Sequence, residues 1–207
     1  MIMVQPLSYL KESPSQTAGP YVHIGCTPNF AEIEGVYLQD LGHEIITGDV
    51  QGQRIRITGR VIDGTGTPLR DAMIEIWQPD ATGLFNSPAE TRGTADPNFT
   101  GWGRCASDMT TGEFAFDTVK PGAVPFVDGR MQAPHVTLWI VARGINLGLH
   151  TRMYFPDEAE ANAADPILSR IEHQTRVKTL IGEDRGDNHY HFDIRLQGHN
   201  ETVFFDI

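Results

Sequence analysis

The sequence predicts an all-β fold, a β-sandwich of mostly antiparallel strands, on three observations. Glycine and proline number 21 and 13 among 207 residues, above their usual shares of about 7% and 5%, which suits short strands and turns better than long helices. Apolar and polar residues alternate in short runs, the period of a half-buried strand. Turn clusters such as DGTGTP (63–68) and Lys120-Pro121-Gly122 close those runs. A chain of this length buries one core, so a single domain is expected, with residues 1–50 as an arm and 51–207 as the sandwich.

Residues 1–50 carry no strong periodicity. Within SPSQTAGPYVHIG, Pro14, Gly19, Pro20 and Gly25 predict an extended arm with turns rather than a helix. Such an arm cannot satisfy its own backbone alone, so it needs a surface, its own sandwich's or a partner's. RIRITGRVID (54–63) alternates Ile55, Ile57, Gly59 and Val61 against polar neighbours and reads as a strand. AMIEIWQPDATG (72–83) repeats the pattern, after which 93–103 reads as irregular. A turn at Thr111-Gly112 introduces a strand with Phe114 and Phe116 on one face. Strands are expected at 135–142 and 150–155. DEAEANAAD (157–165) is rich in helix formers, and 167–171 and 177–180 read as short helical pieces of an excursion between strands. Residues 189–207 predict two final strands around a turn at Gln197–Asn200.

Composition excludes some classes. A formal net charge of −11 with no Lys/Arg block argues against a nucleic-acid or anionic-membrane surface, while leaving room for a local cationic site. Cys26 and Cys105 are too few for a disulfide framework or zinc ribbon and read as unpaired thiols. The start, MIMVQPLSYLKESPSQ, lacks a basic segment followed by a long apolar run, and no stretch reaches the roughly 18 apolar residues that span a bilayer. A soluble, cytoplasmic protein is expected.

Few residues stand out for chemistry. His189 and His191 share one strand face, as metal ligands on sheets do. Tyr190, Phe192, Ile194 and Leu196 form the apolar stripe, so the histidines read as a solvated outer face. His135 and Thr137 have the same spacing, but threonine is not a side chain that a transition metal favours, and His135 reads as a satisfied, partly buried histidine. Arg143, at a strand exit beside Gly144, carries a planar fork suited to a carboxylate, with an internal salt bridge as the alternative. No GxSxG or GxxxxGK[ST] signature occurs.

Several stretches together carry a resemblance: PSQTAGPYVHIG (14–25), IEIWQPDATG (74–83), DPNFTGWGR (96–104), TVKPGAVP (118–125), APHVTLWIVARGINLGLHTRMYF (133–155), FDIRLQG (192–198) and ETVFFDI (201–207). In that order the chain resembles the intradiol ring-cleaving dioxygenases, and within them the non-catalytic α subunits of heteromeric members. The resemblance implies a mononuclear non-heme Fe(III) held by two tyrosines and two histidines. At those four positions this chain has Phe85, Val124, His135 and Thr137, and where the pattern has an arginine three residues before the first histidine it has Gln132. Phenylalanine and valine supply no anionic oxygen, and one histidine cannot hold iron alone, so no iron is expected at this chain's own site.

What the resemblance implies instead is a homologous, iron-bearing β partner in a higher-order αβ oligomer. The partner would open the ring of protocatechuate (3,4-dihydroxybenzoate) with O2 to give 3-carboxy-cis,cis-muconate. Arg143 would reach toward the substrate carboxylate, and Thr17, Gly19 and Pro20 would line the mouth of the partner's pocket. The alternative is a free-standing β-sandwich binding module.

Overall fold

A computed structural model describes residues 18–19, 21–146 and 148–206. In chain order it contains α1 (Val22–Cys26), β1 (Arg54–Ile62), β2 (Met73–Trp77), β3 (Trp102–Ala106), β4 (Glu113–Val119), β5 (Val124–Pro125), β6 (Met131–Gln132), β7 (His135–Val141) and β8 (Leu149–Tyr154). Then come α2 (Ala159–Ala164), two 3-10 turns at Leu168–Arg170 and Gln174–Leu180, and β9 (Glu183–Asp184), β10 (His189–His191) and β11 (Ile194–Arg195).

Two main sheets result. One is antiparallel, in the order β3-β2-β7-β8. The other is built on β1, which pairs antiparallel with β4 and parallel with β10 and β11, and β9 extends it beyond β10. The alternation seen in sequence decides which residues meet between them. Ile55, Ile57 and Val61 of β1 and Phe114 and Phe116 of β4 share one core with Ile74 and Ile76 of β2 and Val136, Leu138 and Ile140 of β7. Between β10 and β11 the chain steps past Gly59, where a methyl group would overlap the carbonyl oxygen of Phe192 and the ring of Phe114. That position needs glycine because two backbones and an aromatic ring converge on it.

A second, smaller core lies outside the sandwich. The excursion after β8 places Leu168 and Leu180 against Tyr154, Ala133 and Val203, so one end of the β3-β2-β7-β8 outer face is covered. No helix among the described residues is long and apolar enough to cross a membrane. Cys26 and Cys105 are free thiols, and burial pushes the Cys105 thiol up to about 12.

The structure corrects three local expectations. Val22–Cys26 is a short helix within the segment expected to be extended, closed where Thr27 donates from its backbone N–H (2.7 Å) and its hydroxyl (2.5 Å) to the His23 carbonyl. Trp102–Ala106 is a strand, although the preceding 93–103 run reads as irregular: Gly103 and the paired Arg104 hide its alternation, yet β2 pairs along all five residues. Residues 201–206 form no named strand. They are used in an isolated bridge, Phe205 with His150, and in the second core through Val203.

The segment before β1 is mixed in character. Ile45 and Val50 are buried in the main core, and Gly42 packs against Trp102 and Arg104. Earlier, Tyr21, Phe30, Ile33, Val36, Tyr37, Leu38 and Leu41 all stand exposed.

Candidate functional site

Register places the outer face of the β3-β2-β7-β8 sheet in rows. Trp102, Trp77, Thr137 and Arg152 form one row across four strands, and Arg104, Glu75, Trp139 and His150 form the next. His135 stands opposite Tyr154 at the covered end. A cavity of about 580 Å³ opens on this face, and Phe85, Val124, His135 and Thr137 all line it. Gln132, Trp77 and Arg152 also line it, as does the Glu90–Arg92 pair.

Each wall has a local cause. The turn after β2 is tied by Asp80, whose Oδ1 accepts from the backbone N–H of Thr82 (2.8 Å) and Leu84 (3.0 Å) and whose Oδ2 accepts from Asp96 N–H (2.9 Å). Burial works to raise that carboxyl, but the N–H donors of Leu84, Asp96 and Thr82 with the Thr82 hydroxyl outweigh it and hold it below the ordinary range. The turn delivers Phe85 onto Trp77, ring centroids 5.8 Å apart and nearly parallel. Glu90 accepts from Phe85 N–H and pairs with Arg92, which pulls the Glu90 carboxyl down to about 2. From the opposite side the β5–β6 hairpin supplies Val124 and Gln132, which pair with each other in register.

His135 is buried, and its Nδ1–H donates to the Ala133 carbonyl at 2.7 Å. Burial, reinforced by the Arg152 charge, pushes the imidazole down to about 3, with the Ala133 carbonyl opposing. The neighbouring Tyr154 ring lies 5.4 Å away. Burial raises its phenol to about 12, so it is a neutral phenol and not a tyrosinate. Arg152 Nη1 donates to Gln132 Oε1 at 2.8 Å, so a guanidinium does enter the cavity, delivered from β8 rather than from position 132.

This donor set does not fit a ferric ion. Phe85 and Val124 have no lone pair to give, Thr137 offers only a neutral hydroxyl, and the one imidazole shares the cavity with a guanidinium. Among the described residues no three His, Cys, Asp or Glu side chains form a metal-binding group.

The remaining candidates lie elsewhere. Arg143 follows the far end of β7, eight residues from His135, or roughly 26 Å along an extended chain. Its Nη2 meets Asp71 Oδ2 at 3.1 Å, and its side chain is 66% exposed against 11% for Asp71. Gly19 is half-buried and its carbonyl accepts from Val22 N–H. Thr17 and Pro20 lie outside the described residues. His189 and His191 are half-buried, not freely solvated: both contact the Thr58 hydroxyl, at 2.8 and 3.0 Å, and His191 also meets Asp193. Sequence reasoning overlooked Arg152 and Tyr154, although alternation in HTRMYF puts His150, Arg152 and Tyr154 on one face.

The depressed His135 value has a measurable consequence. The unfolded chain binds this proton near the ordinary histidine value of about 6.5, whereas the folded chain excludes it down to about 3. Between those limits the unfolded state holds more protons, so stability is full above about pH 6.5 and falls as pH drops. Urea unfolding at pH 7 and pH 5 is expected to differ by about 2 kcal/mol from this group. In His135→Gln, which still donates to the Ala133 carbonyl, that difference shrinks accordingly. An unchanged pH slope in the variant would place the titration on other groups.

Comparison with known proteins adds the following. The family model described as "Dioxygenase" matches residues 26–198. The chain is 44% identical to the protocatechuate 3,4-dioxygenase alpha chain of Pseudomonas putida, covering 97% of this chain and 99% of that one. It is 33% identical to the protocatechuate 3,4-dioxygenase beta chain of Burkholderia cepacia, over 75% of this chain and 69% of that one. Among solved structures, the dioxygenase domain of a dioxygenase carbohydrate-binding protein fusion from Streptomyces sp. SirexAA-E superposes with a TM-score of 0.55 at 22% identity, covering 82% and 96%. That likeness is one of fold.

Proposed function

Because this chain belongs to the intradiol dioxygenase family, we propose that it is the non-catalytic α-type subunit of a heteromeric enzyme that cleaves protocatechuate with O2 to 3-carboxy-cis,cis-muconate. The observation that carries this is a family scaffold whose cavity presents Phe85, Val124, Thr137 and a guanidinium where a ferric centre needs anionic oxygens. Iron belongs, on this account, to a homologous β-type partner, and it is the iron that activates the bound catechol toward O2.

This chain's contribution is to bind and orient. Arg143 has a fork of five donors, only one edge of which faces Asp71, and two thirds of the side chain is open to a second carboxylate from the partner's pocket. Asp71, itself nearly buried, anchors the guanidinium and reduces the entropy lost when the substrate docks. Thr17, Gly19 and Pro20 line the mouth of that pocket. The seven exposed apolar side chains between Tyr21 and Leu41 support an arm that packs on a partner, since so dense an apolar stretch is disfavoured in water. The assembly is a soluble, cytoplasmic αβ oligomer.

Metal analysis tests the division of labour. Purified alone, the chain is expected to be colourless, free of iron and inactive toward protocatechuate. Co-expressed with a β-type chain it should form a stable complex with one iron per partner and substrate-dependent oxygen uptake. A tyrosinate-to-iron absorption band from the isolated chain would overturn the proposal, and failure to form any complex would favour a free-standing binding module.

A further inference from the structure

Arg152 is the one lysine or arginine among the described residues that is not exposed and has no carboxylate within salt-bridge distance. The other shielded cations, Arg60, Arg104, Lys120 and Arg176, each sit on an acidic partner. In a chain of net charge −11, a half-buried guanidinium left without a counter-charge needs a physical reason.

Its surroundings are neutral or already satisfied. Nη1 donates to Gln132 and, at 3.4 Å, reaches the Tyr154 hydroxyl. No other hydrogen bond of its guanidinium occurs among the described residues, and one face lies 5.7 Å from the Phe205 ring. Asp165, behind Tyr154, is taken up by the backbone N–H groups of Ala133, Ile167 and Leu168. Glu90 across the cavity is paired with Arg92. Among the described residues the cavity therefore carries one uncompensated positive charge.

The opposite wall is aromatic. Trp77 and Phe85 are stacked, and in register Trp77 and Arg152 flank Thr137 from the two neighbouring strands, about 10 Å apart. A small side chain between an aromatic wall and a guanidinium leaves a slot that matches a planar ring bearing one carboxylate. We propose that this cavity is a second ligand site, which takes an aromatic monocarboxylate with its ring against Trp77 and Phe85 and its carboxylate on Arg152. No bond is made or broken there. The site is built wholly from this chain and is independent of the Arg143 role proposed above.

4-Fluorobenzoate, titrated into the assembled complex and followed by 19F NMR, tests it. A saturable bound resonance is expected that is weakened roughly tenfold or more in Arg152→Gln, as loss of a charge-assisted contact requires. The same resonance should be weak with the neutral 4-fluorobenzamide and unaffected by Arg143→Ala. If Arg152→Gln fails to assemble, Thr137→Phe gives the same reading, because it fills the slot and keeps the charge. The site is refuted if no bound resonance depends on position 152 or 137, or if amide and carboxylate bind equally. Either result would leave the Arg143 proposal standing, since that rests on kinetics.

Discussion

Arg143→Ala in the assembled enzyme is expected to raise KM for protocatechuate roughly ten- to a hundredfold, with iron content intact. The size follows from a charge-assisted contact to a carboxylate, worth about 1.5–3 kcal/mol. Stability should hardly move, because the Arg143–Asp71 pair has one largely exposed partner and such pairs contribute about 0–1 kcal/mol. Asp71→Asn provides the complementary measurement. It leaves the guanidinium in place without its anchor, so a smaller rise in KM is expected. Steady-state oxygen uptake against substrate concentration, with a thermal melt of each variant, separates binding from folding. An unchanged KM for Arg143→Ala removes this residue from the substrate site.

Asp165→Ala should destabilise the fold by about 3–5 kcal/mol. The side chain is fully buried at the end of α2. Its Oδ2 accepts from Ala133 N–H at 2.8 Å, and its Oδ1 accepts from Ile167 N–H at 2.7 Å and Leu168 N–H at 2.8 Å. Removal strands two buried donors, Ala133 and Leu168, and the half-buried Ile167 N–H. For a domain of this size the loss corresponds to a Tm lower by roughly 6–20 °C. Asp165→Asn keeps an oxygen for Ile167 and Leu168 but turns an amide NH2 toward the Ala133 N–H, so its cost is intermediate. A Tm within 2 °C of the parent, taken as about 1 kcal/mol or less, would show that the second core holds itself together without this carboxylate.

How much of this was legible depended on how each residue is fixed. β1, β2, β4, β7 and β8 could be read directly, because one face of each is buried and the side-chain period of two is written into the chain. β3 could not, since Gly103 and Cys105 face inward while Arg104 is held outward by Glu75. ETVFFDI alternates like a strand, yet Val203 serves the second core and, among its described residues, only Phe205 makes a bridge. Tertiary packing used the apolar pattern and not the ladder. At the site, the convergence of Phe85, Val124, His135 and Thr137 depends on a turn, a hairpin and a strand meeting. The resemblance pointed to those four positions; spacing alone did not. Arg152 needed cross-strand register, which no local pattern supplies.

The parallel pairing of β1 also decides when the chain can finish folding. Ile57 lies beside Tyr190 and the Thr58 side chain contacts His191, 133 residues further on. One edge of β1 therefore stays open until nearly the whole chain exists, and pairing over that distance closes a long loop before it gains any contact. Until then RIRITGRVI is a ladder-ready segment with Ile55, Ile57 and Val61 uncovered. Arg54, Arg56 and Arg60 lie on its other face, where Arg56 and Arg60 later meet Asp117 and Asp193. Before those partners arrive, three like charges in seven residues repel a second copy of the same strand, so the side chains that end as surface ion pairs first serve to keep nascent chains apart.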